Sequence, residues 1–211
     1  MVAGGSGRRF GGPKQFLQLA GKPVAAWSVA AARTVSDGVV LVIPDPVGEV
    51  DRDATLGADR VVAGGDSRAD SVRAGLAAVP DEADVVVVHD AARPLADPSL
   101  FAAVVDAVRA GGAACAIPVL PVSDTLKRTA GAVVASTLDR EGVVTVQTPQ
   151  AFTASVLREA HRNAGQSTDD AGLVEQMGIP VHTVPGDPRN LKITRPEDLH
   201  LAEALLSGTY R

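Results

Sequence analysis

The stretch Gly4 to Phe16, GGSGRRFGGPKQF, carries the densest chemistry in the chain, with five glycines, two arginines and a lysine. Glycine admits positive φ and lets the backbone approach a ligand without a Cβ in the way. Successive backbone N–H groups in such a loop form a concavity suited to anions. Arg8, Arg9 and Lys14 add permanent positive charge at the same place, and the loop reads as a cradle for a polyphosphate. Two better-known glycine loops do not fit. The dinucleotide fingerprint G-x-G-x-x-G matches Gly5 and Gly7 but meets Phe10 where its third glycine belongs, and the P-loop matches Gly7 and Gly12, then meets Pro13, with Lys14 followed by Gln15. The alternative is a flexible basic turn, against which three cations within seven residues argue.

Two further polar loops carry candidates. In His89-Asp90-Ala91-Ala92-Arg93-Pro94, Asp90 has the chemistry to help bind Mg²⁺, order its water or hold a substrate hydroxyl, and equally to serve as a cap or a salt bridge to Arg93. A lone His89, with no second His or Cys at ligand spacing, argues against zinc and for a satisfied core histidine. In Gly64-Gly65-Asp66-Ser67-Arg68, Asp66 has an ordinary turn reading, and Arg68 and Asp70 are candidates to pair. Lysine is scarce, the four being Lys14, Lys22, Lys127 and Lys192. On its residue type alone, Lys192 reads as a solvated strand-end lysine.

The elements that must position these residues alternate. Val39–Ile43, Arg60–Ala63, Val85–Val88 and Ala113–Pro118 read as strands, with helices over 23–35, 70–79 and 98–110 between or after them and a weak helix from about Pro46 to Leu56. A continuous apolar run such as Val85–Val88 is typical of a strand buried on both faces. Alternation of this kind makes an α/β fold, a parallel sheet with helices on both sides. The three polar loops each follow a strand, so they should line one crevice beyond the strands' carboxyl ends. Met1-Val2-Ala3 looks like the tail of a first strand, short against the usual ~5–6 residues, which raises the question of missing upstream residues. From Pro121 the rhythm changes: Asp124–Arg128 and Val133–Leu138 suggest a hairpin too poor in apolar residues for its own core, which must lie on the main body or on another subunit. Val143–Thr148 is expected as a strand, 153–163 as a helix, a further helix from Asp169, strands at Val181–Val184 and Leu191–Thr194, and a last helix from Arg195 or Pro196. Trp27 is read as core.

Bulk properties set the class. The chain's 211 residues suit one α/β domain spanning 1–211. Hydrophobic residues at 45% argue against disorder. One cysteine, Cys115, excludes an internal disulfide framework and fits a reducing, cytoplasmic setting. A net charge of −5 disfavours a nucleic-acid binder, and no apolar run reaches ~18 residues, so no membrane span is expected.

Taken in order, G-G-S-G-R-R-F with P-K-Q, G-G-D-S-R-A-D-S-V, H-D-A-A-R-P, D-T-L-K-R, L-D-R, T-P-Q, S-T-D-D-A and N-L-K-I-T-R-P-E-D-L resemble the 2-C-methyl-D-erythritol 4-phosphate cytidylyltransferase family of the non-mevalonate isoprenoid pathway, over nearly the whole chain. Ribitol-5-phosphate cytidylyltransferase is the nearest alternative, and a non-catalytic nucleotide-binding regulator is one of another class. The resemblance implies a three-layer, Rossmann-like α/β sandwich with a mostly parallel sheet, like that of nucleotide-diphospho-sugar transferases. It also implies a homodimer in which the β-arm near 124–143 embraces the partner, CTP and a sugar-alcohol phosphate as substrates, and Mg²⁺ on the triphosphate.

By family position the resemblance assigns roles. Arg9 and Lys14 would hold the triphosphate and stabilise developing charge, and Lys192 would bind the α-phosphate. Ala3, Gly4, Gly5, Ser6 and Gly7, together with Gly65, Asp66, Ser71 and Asp90, would bind the nucleotide, Asp90 also being the metal candidate. Arg93, Thr125, Arg140 and Thr168 would bind the acceptor, Arg140 coming from the partner's arm. Thr168 has a second reading as the N-cap of the helix that follows. Three features depart from the family pattern: the short first strand, Phe10 after the paired arginines, and Asp170 in place of an expected glutamate.

Overall fold

The valines of Val85–Val88 explain the layout. Successive strand side chains point to opposite faces, and here both faces are covered. Val86 and Val88 pack with Val72, Leu76, Leu157, Leu173 and Val174 on one side, while Val85 and Val87 pack with Val104 and Val108 on the other. The same alternation sends Cys115, Ile117 and Phe152 to the first face and Ala116 and Ala151 to the second. A run apolar at every position is what such a strand requires.

A computed structural model describes residues 1–3, 14–44, 56–162 and 167–208, and of Lys14 the backbone. A 3-10 turn at Lys14–Phe16 leads into a small antiparallel pair, β1 (Gln18–Leu19) and β2 (Lys22–Pro23), and then α1 (Val24–Arg33). β3 (Val40–Ile43) and β4 (Arg60–Ala63) pair in parallel. Next come α2 (Arg68–Ala77), β5 (Val85–Val88), α3 (Pro98–Arg109) and β6 (Cys115–Pro121). The arm is β7 (Leu126–Ala130) with β8 (Val133–Leu138), followed by β9 (Val144–Val146) and β10 (Gln150–Thr153). The chain continues through α4 (Ala154–Arg162), α5 (Asp170–Gln176), β11 (Val181–Pro185) and α6 (Pro196–Leu206). The weak helix expected up to Leu56 falls largely outside the described residues.

Val2 joins the sheet by parallel bridges to Val42 and to Asp90. The order across the molecule is therefore β4, β3, Val2, β5, β10, β6, β11. Along it β10 alone runs antiparallel, to both β5 and β6, and the other neighbours are parallel. The helices α2, α4 and α5 cover one face and α1 and α3 the other, the expected mostly parallel α/β sandwich.

Helix starts follow local chemistry. Asp97 caps α3 by accepting from the Ser99 N–H at 2.8 Å, with Pro98 in the first turn. Ser67 and Asp70 form a reciprocal capping box on α2, with Asp70 N–H to Ser67 Oγ at 3.0 Å and Ser67 N–H to Asp70 Oδ2 at 3.1 Å.

Two expectations are corrected. Leu191–Thr194 forms no strand. Its apolar residues alternate as a strand's would, but Leu191 and Ile193 dock against α6 and Trp27 instead, tied by Ile193 N–H to Ala92 O at 2.8 Å. The expected strand Val143–Thr148 is shorter, Val144–Val146, and the central strand is β10, a stretch for which the sequence gives no strand, directly before the helix expected from about Thr153. β10 is set by partners on both edges, information no short segment carries. Trp27 packs in the α6 cluster, half-buried, and donates its indole N–H to Leu19 O at 2.9 Å.

A cavity of about 640 Å³ opens near the amino ends of β3 and β5, lined mostly by aliphatic side chains including Val40, Val42, Val86 and Val88. Ligands of open α/β sheets gather at the opposite, carboxyl ends, and the candidate residues lie there.

Cys115 is fully buried in β6, and burial pushes its thiol up to about 12. It is expected to be unreactive toward a chromogenic disulfide reagent in the native protein and to react fully in urea. Fast reaction without denaturant would show that β6 is exposed by opening.

Candidate active site

Asp90 follows β5 and lies between two cations. Lys192 Nζ donates to Asp90 Oδ2 at 2.6 Å, and Arg68 Nε donates to Oδ1 at 3.3 Å. Arg68 Nη1 also donates to Asp170 Oδ2 at 2.7 Å, and Asp170 Oδ1 lies 2.9 Å from His161 Nε2. The chain of groups His161, Asp170, Arg68, Asp90, Lys192 thus joins α4, α5, α2, the end of β5 and the segment before α6. Burial would raise the Asp90 pKa, but the charge of Arg68 and then that of Lys192 outweigh it and hold the carboxyl well below the usual carboxylate range. Arg68 is weakened by its own burial, yet the Asp170 and Asp90 charges prevail and keep it more basic than usual.

Beneath this pair His89 is a core histidine, as expected. It is buried against Phe101, with ring centroids 4.9 Å apart. Burial pushes its pKa down to about 3, so the ring is neutral. Its Nε2 lies 3.2 Å from the Arg93 carbonyl, which can only accept, so Nε2 carries the proton. Nδ1 is then an acceptor for the Thr148 hydroxyl at 3.1 Å, and that hydroxyl oxygen accepts from the Asp90 N–H at 3.0 Å. The hydrogen bonds all run one way, and they fix the backbone from which the Asp90 carboxylate projects.

Lys192 sits in irregular chain, so its position depends on anchors either side. The fully buried Asn190 donates from Nδ2 to Thr148 O at 2.9 Å and to Gln147 Oε1 at 3.3 Å. Gln147 Nε2 donates to Asp187 O at 2.9 Å, and its Oε1 accepts from the Asp187 N–H at 3.1 Å. On the other side Ile193 is fully buried. Arg93 donates from Nη1 to Asn190 O at 2.7 Å, while its buried Nε has no partner among the described residues.

The second glycine loop lies on the same edge of the sheet, where β4 ends. Ser71 is buried and spans the turn, its Oγ donating to Ser67 O at 3.0 Å and accepting from the Gly65 N–H at 3.3 Å. A Cβ on Gly65 would come within 2.3 Å of Asp70 Cβ, so glycine is required by close approach. Asp66 is exposed at the tip.

The structure brings Asp90, Arg93, Thr168 and Lys192 to one cleft of about 450 Å³, with Arg68, Gln147, Thr148, Gln150 and Asp169. Ala3 is buried beside it, its N–H donating to Val42 O at 2.7 Å. Gly65, Asp66 and Ser71 do not line the cleft, and their neighbour Arg68, the first residue of α2, does. Thr125 and Arg140 stand apart on the arm. Both are exposed, and Arg140 donates to Ser123 O and, at 3.4 Å, to Val122 O. Gly4, Gly5, Ser6, Gly7, Arg9 and the Lys14 side chain lie outside the described residues.

Several alternatives fail. Asp90 pairs with Arg68 and Lys192 rather than Arg93, and Arg68 pairs with Asp90 and Asp170 rather than Asp70, whose ion-pair partner is Arg73. The α5 N-cap is Asp169, which accepts from the Gly172 N–H at 3.0 Å, so Thr168 has no capping role. Arg68, Thr148, Gln147 and Asn190 are not among the residues that the sequence assigns to the site. Each stands inside a quoted motif or beside one, but their partners are 22 to 102 residues away, and no local pattern announces such pairings.

Comparison with known proteins places this arrangement. The model of the family "IspD: 2-C-methyl-D-erythritol 4-phosphate cytidylyltransferase" matches residues 1–208. A curated 2-C-methyl-D-erythritol 4-phosphate cytidylyltransferase of Nocardia farcinica is 47% identical, over 97% of this chain and 91% of the relative. A bifunctional enzyme IspD/IspF of Solidesulfovibrio magneticus is 46% identical over 97% of this chain, which spans 56% of that longer protein. The crystal structure of 2-C-methyl-D-erythritol 4-phosphate cytidylyltransferase from Thermus thermophilus aligns with a TM-score of 0.84 at 38% identity, covering 98% of this chain and 96% of that one. With its sheet, its carboxyl-edge cleft and these likenesses along its whole described length, the chain belongs to the 2-C-methyl-D-erythritol 4-phosphate cytidylyltransferase family.

Proposed function

We propose that the protein transfers a cytidylyl group from CTP to 2-C-methyl-D-erythritol 4-phosphate. A phosphate oxygen of the acceptor attacks the α-phosphorus of CTP, the bond to the β-phosphate oxygen breaks, and pyrophosphate leaves with 4-CDP-2-C-methyl-D-erythritol as product. The observation that carries this reading is the Lys192–Asp90 pair in a polar cleft at the sheet's carboxyl edge, in a chain that matches this family over residues 1–208.

Both reactants are anions, so catalysis consists chiefly of positioning and of cations matched to developing charge. The acceptor phosphate is itself the nucleophile, and no activated side chain is needed. Lys192 offers a compact charge that exchanges the Asp90 carboxylate for the α-phosphate when the nucleotide enters. Arg9 and Lys14 hold the triphosphate, Arg9 through a planar fork and Lys14 as a point charge. The loop from Ala3 to Gly7 and the turn of Gly65, Asp66 and Ser71 meet the nucleotide with main-chain groups. Arg93, whose buried Nε has no partner among the described residues, and Thr168 face the acceptor.

The chemistry of the donor set bears on Mg²⁺. Among the described residues no group of three His, Cys, Asp or Glu could hold a metal. Of the carboxylates that line the cleft, Asp90, Asp169 and Glu175, Asp90 stands beside Lys192, and Asp169 is engaged in capping α5. Mg²⁺ commonly takes one or two carboxylates and completes its shell with phosphate oxygens and water, so the fit is to a metal delivered on the triphosphate. Its contribution would be to neutralise phosphate charge.

The arm supports a homodimer. Val133 and Val134 are 69% and 55% exposed, and β7 and β8 pair only with each other in the sheet order. A partner subunit would cover them and receive Arg140 and Thr125 at its acceptor site. No helix among the described residues is long and apolar enough to cross a membrane, and a single buried thiol fits the cytoplasm.

A coupled pyrophosphate assay with CTP and Mg²⁺ is expected to show turnover with 2-C-methyl-D-erythritol 4-phosphate and little with ribitol 5-phosphate. The reverse preference would make the ribitol reading correct, and CTP binding with no pyrophosphate release from either would leave a nucleotide-binding regulator. Arg9→Ala is expected to lower kcat on the order of 10²–10³-fold, as loss of a transition-state donor does. An effect confined to the KM for CTP would remove that role.

Arg140→Ala is expected to raise the acceptor KM and leave the CTP KM unchanged. If the arm crosses between subunits, mixing Arg140→Ala with Lys14→Ala protein restores activity in heterodimers, one of whose two sites is then intact. Confirmed heterodimers without recovery would put both residues in the same subunit's site.

A further inference from the structure

Asp170 and His161 have no part in the chemistry described so far, yet both are buried beneath the cleft. Asp170 begins α5, whose start is clamped from β10. Gln150 Nε2 donates to Asp169 Oδ2 at 2.8 Å, and Gln150 Oε1 accepts from the Ala171 N–H at 3.3 Å. Behind the carboxylate, His161 Nε2 lies 2.9 Å from Oδ1, and His161 Nδ1 has no partner among the described residues. In front of it Arg68 Nη1 donates to Oδ2 at 2.7 Å. The other edge of the same guanidinium touches Asp90 at 3.3 Å. The short bond of Arg68 runs away from the cleft, and the long one runs toward it.

An isolated arginine–carboxylate pair favours a two-bond fork. Arg68 makes none with Asp90: the short bond from Nη1 to Asp170 draws the guanidinium the other way, and its contact with Asp90 is a single bond of 3.3 Å from Nε. We propose that Asp170, braced by His161, is a positioning residue for cytidylyl transfer, holding Arg68 back from closing on Asp90 and so keeping the Asp90 carboxylate shared with Lys192. This rests on the cytidylyltransferase reading above. Without Asp170, Arg68 moves onto Asp90 as a fork, and the group that should meet nucleotide, metal and Lys192 is locked by one neighbour. A carboxylate one methylene longer would push the guanidinium toward the cleft, and the short Asp170 with a histidine behind it sets the separation seen.

The test is a double-mutant cycle of Asp170→Asn and Arg68→Gln, with kcat and both KM values measured and folding followed by thermal denaturation. Asp170→Asn is expected to lower kcat about 10–100-fold, the usual scale for a residue that orients a reacting group, with the CTP KM changed by less than about threefold. In the Arg68→Gln background the same substitution is expected to add nothing, since the two act as a unit. Losses that multiply in the double variant overturn the proposal. So does an Asp170→Asn protein with a lowered melting midpoint and unchanged kcat per folded molecule. If Asp170→Asn does not fold, His161→Gln replaces it in the cycle, with a smaller kcat loss expected that vanishes without Arg68, and an equal loss in both backgrounds overturns the proposal. A wild-type enzyme that releases no pyrophosphate refutes the functional reading itself, whereas active wild type with an additive cycle refutes only the positioning role.

Discussion

A carboxylate removed from water must be paired, and the structure around Asp90 follows from that constraint. Desolvation pushes its pKa up, and the charges of Arg68 and Lys192 outweigh that and hold it below the usual carboxylate range. Removing one partner of a buried ion pair typically costs about 3–5 kcal/mol, because the other charge is left uncompensated. The arrangement is therefore demanding: two cations from distant parts of the chain have to arrive at the same two oxygens. The alternation of sign from Asp170 through Arg68 and Asp90 to Lys192 meets the demand, and it leaves the outermost cation, 41% exposed, where an incoming phosphate can reach it.

The sandwich makes this convergence possible. Parallel strands present their carboxyl ends along one edge, and the residues that follow them there become neighbours regardless of sequence separation. Asp90 follows β5, Arg68 begins the helix after β4, and Ala3 follows the first bridge of the sheet. The antiparallel β10 delivers Thr148 and Gln150 to the same edge from the opposite direction, since its amino end lies there. Thr148 orients His89 and the Asp90 amide, and Gln150 clamps the start of α5. Lys192 arrives without a strand, held by the buried amide of Asn190 on one side and by Ile193 on the other.

The arm obeys different physics. Its strands satisfy their hydrogen bonds in pairs, but their valines remain in water, and a two-stranded hairpin alone is marginal at best. Such an element makes sense as half of an interface, and in the dimer proposed above a partner would cover the valines.

Local sequence settled the elements whose period matches their burial. The all-apolar Val85–Val88 reads as a strand buried on both faces and is one, and the helix read from Pro98 begins there, whereas the helix read from Asp70 begins two residues earlier, at Arg68, where Ser67 and Asp70 cap it. The poverty of apolar residues in the hairpin meant that it had no core of its own and had to lie on the main body or on another subunit. Motif order pointed to the family and to Asp90, Arg93, Thr168 and Lys192, which the fold does bring to one cleft. What tertiary structure alone decided was pairing. Leu191–Thr194 alternates like a strand, yet its apolar side chains dock on α6 and Trp27, and the Ile193 N–H goes to Ala92 O rather than to a strand. Gln150–Thr153 looks like the lead into a helix, yet it becomes a central strand because both neighbours supply hydrogen bonds. Arg68 had Asp70 two residues away and took Asp90 and Asp170 instead, because Asp70 is engaged in capping its own helix. Propensity and capping act over a few residues and can be read there, whereas the partner of a buried charge is chosen by whichever opposite charge the fold delivers to the same dry place.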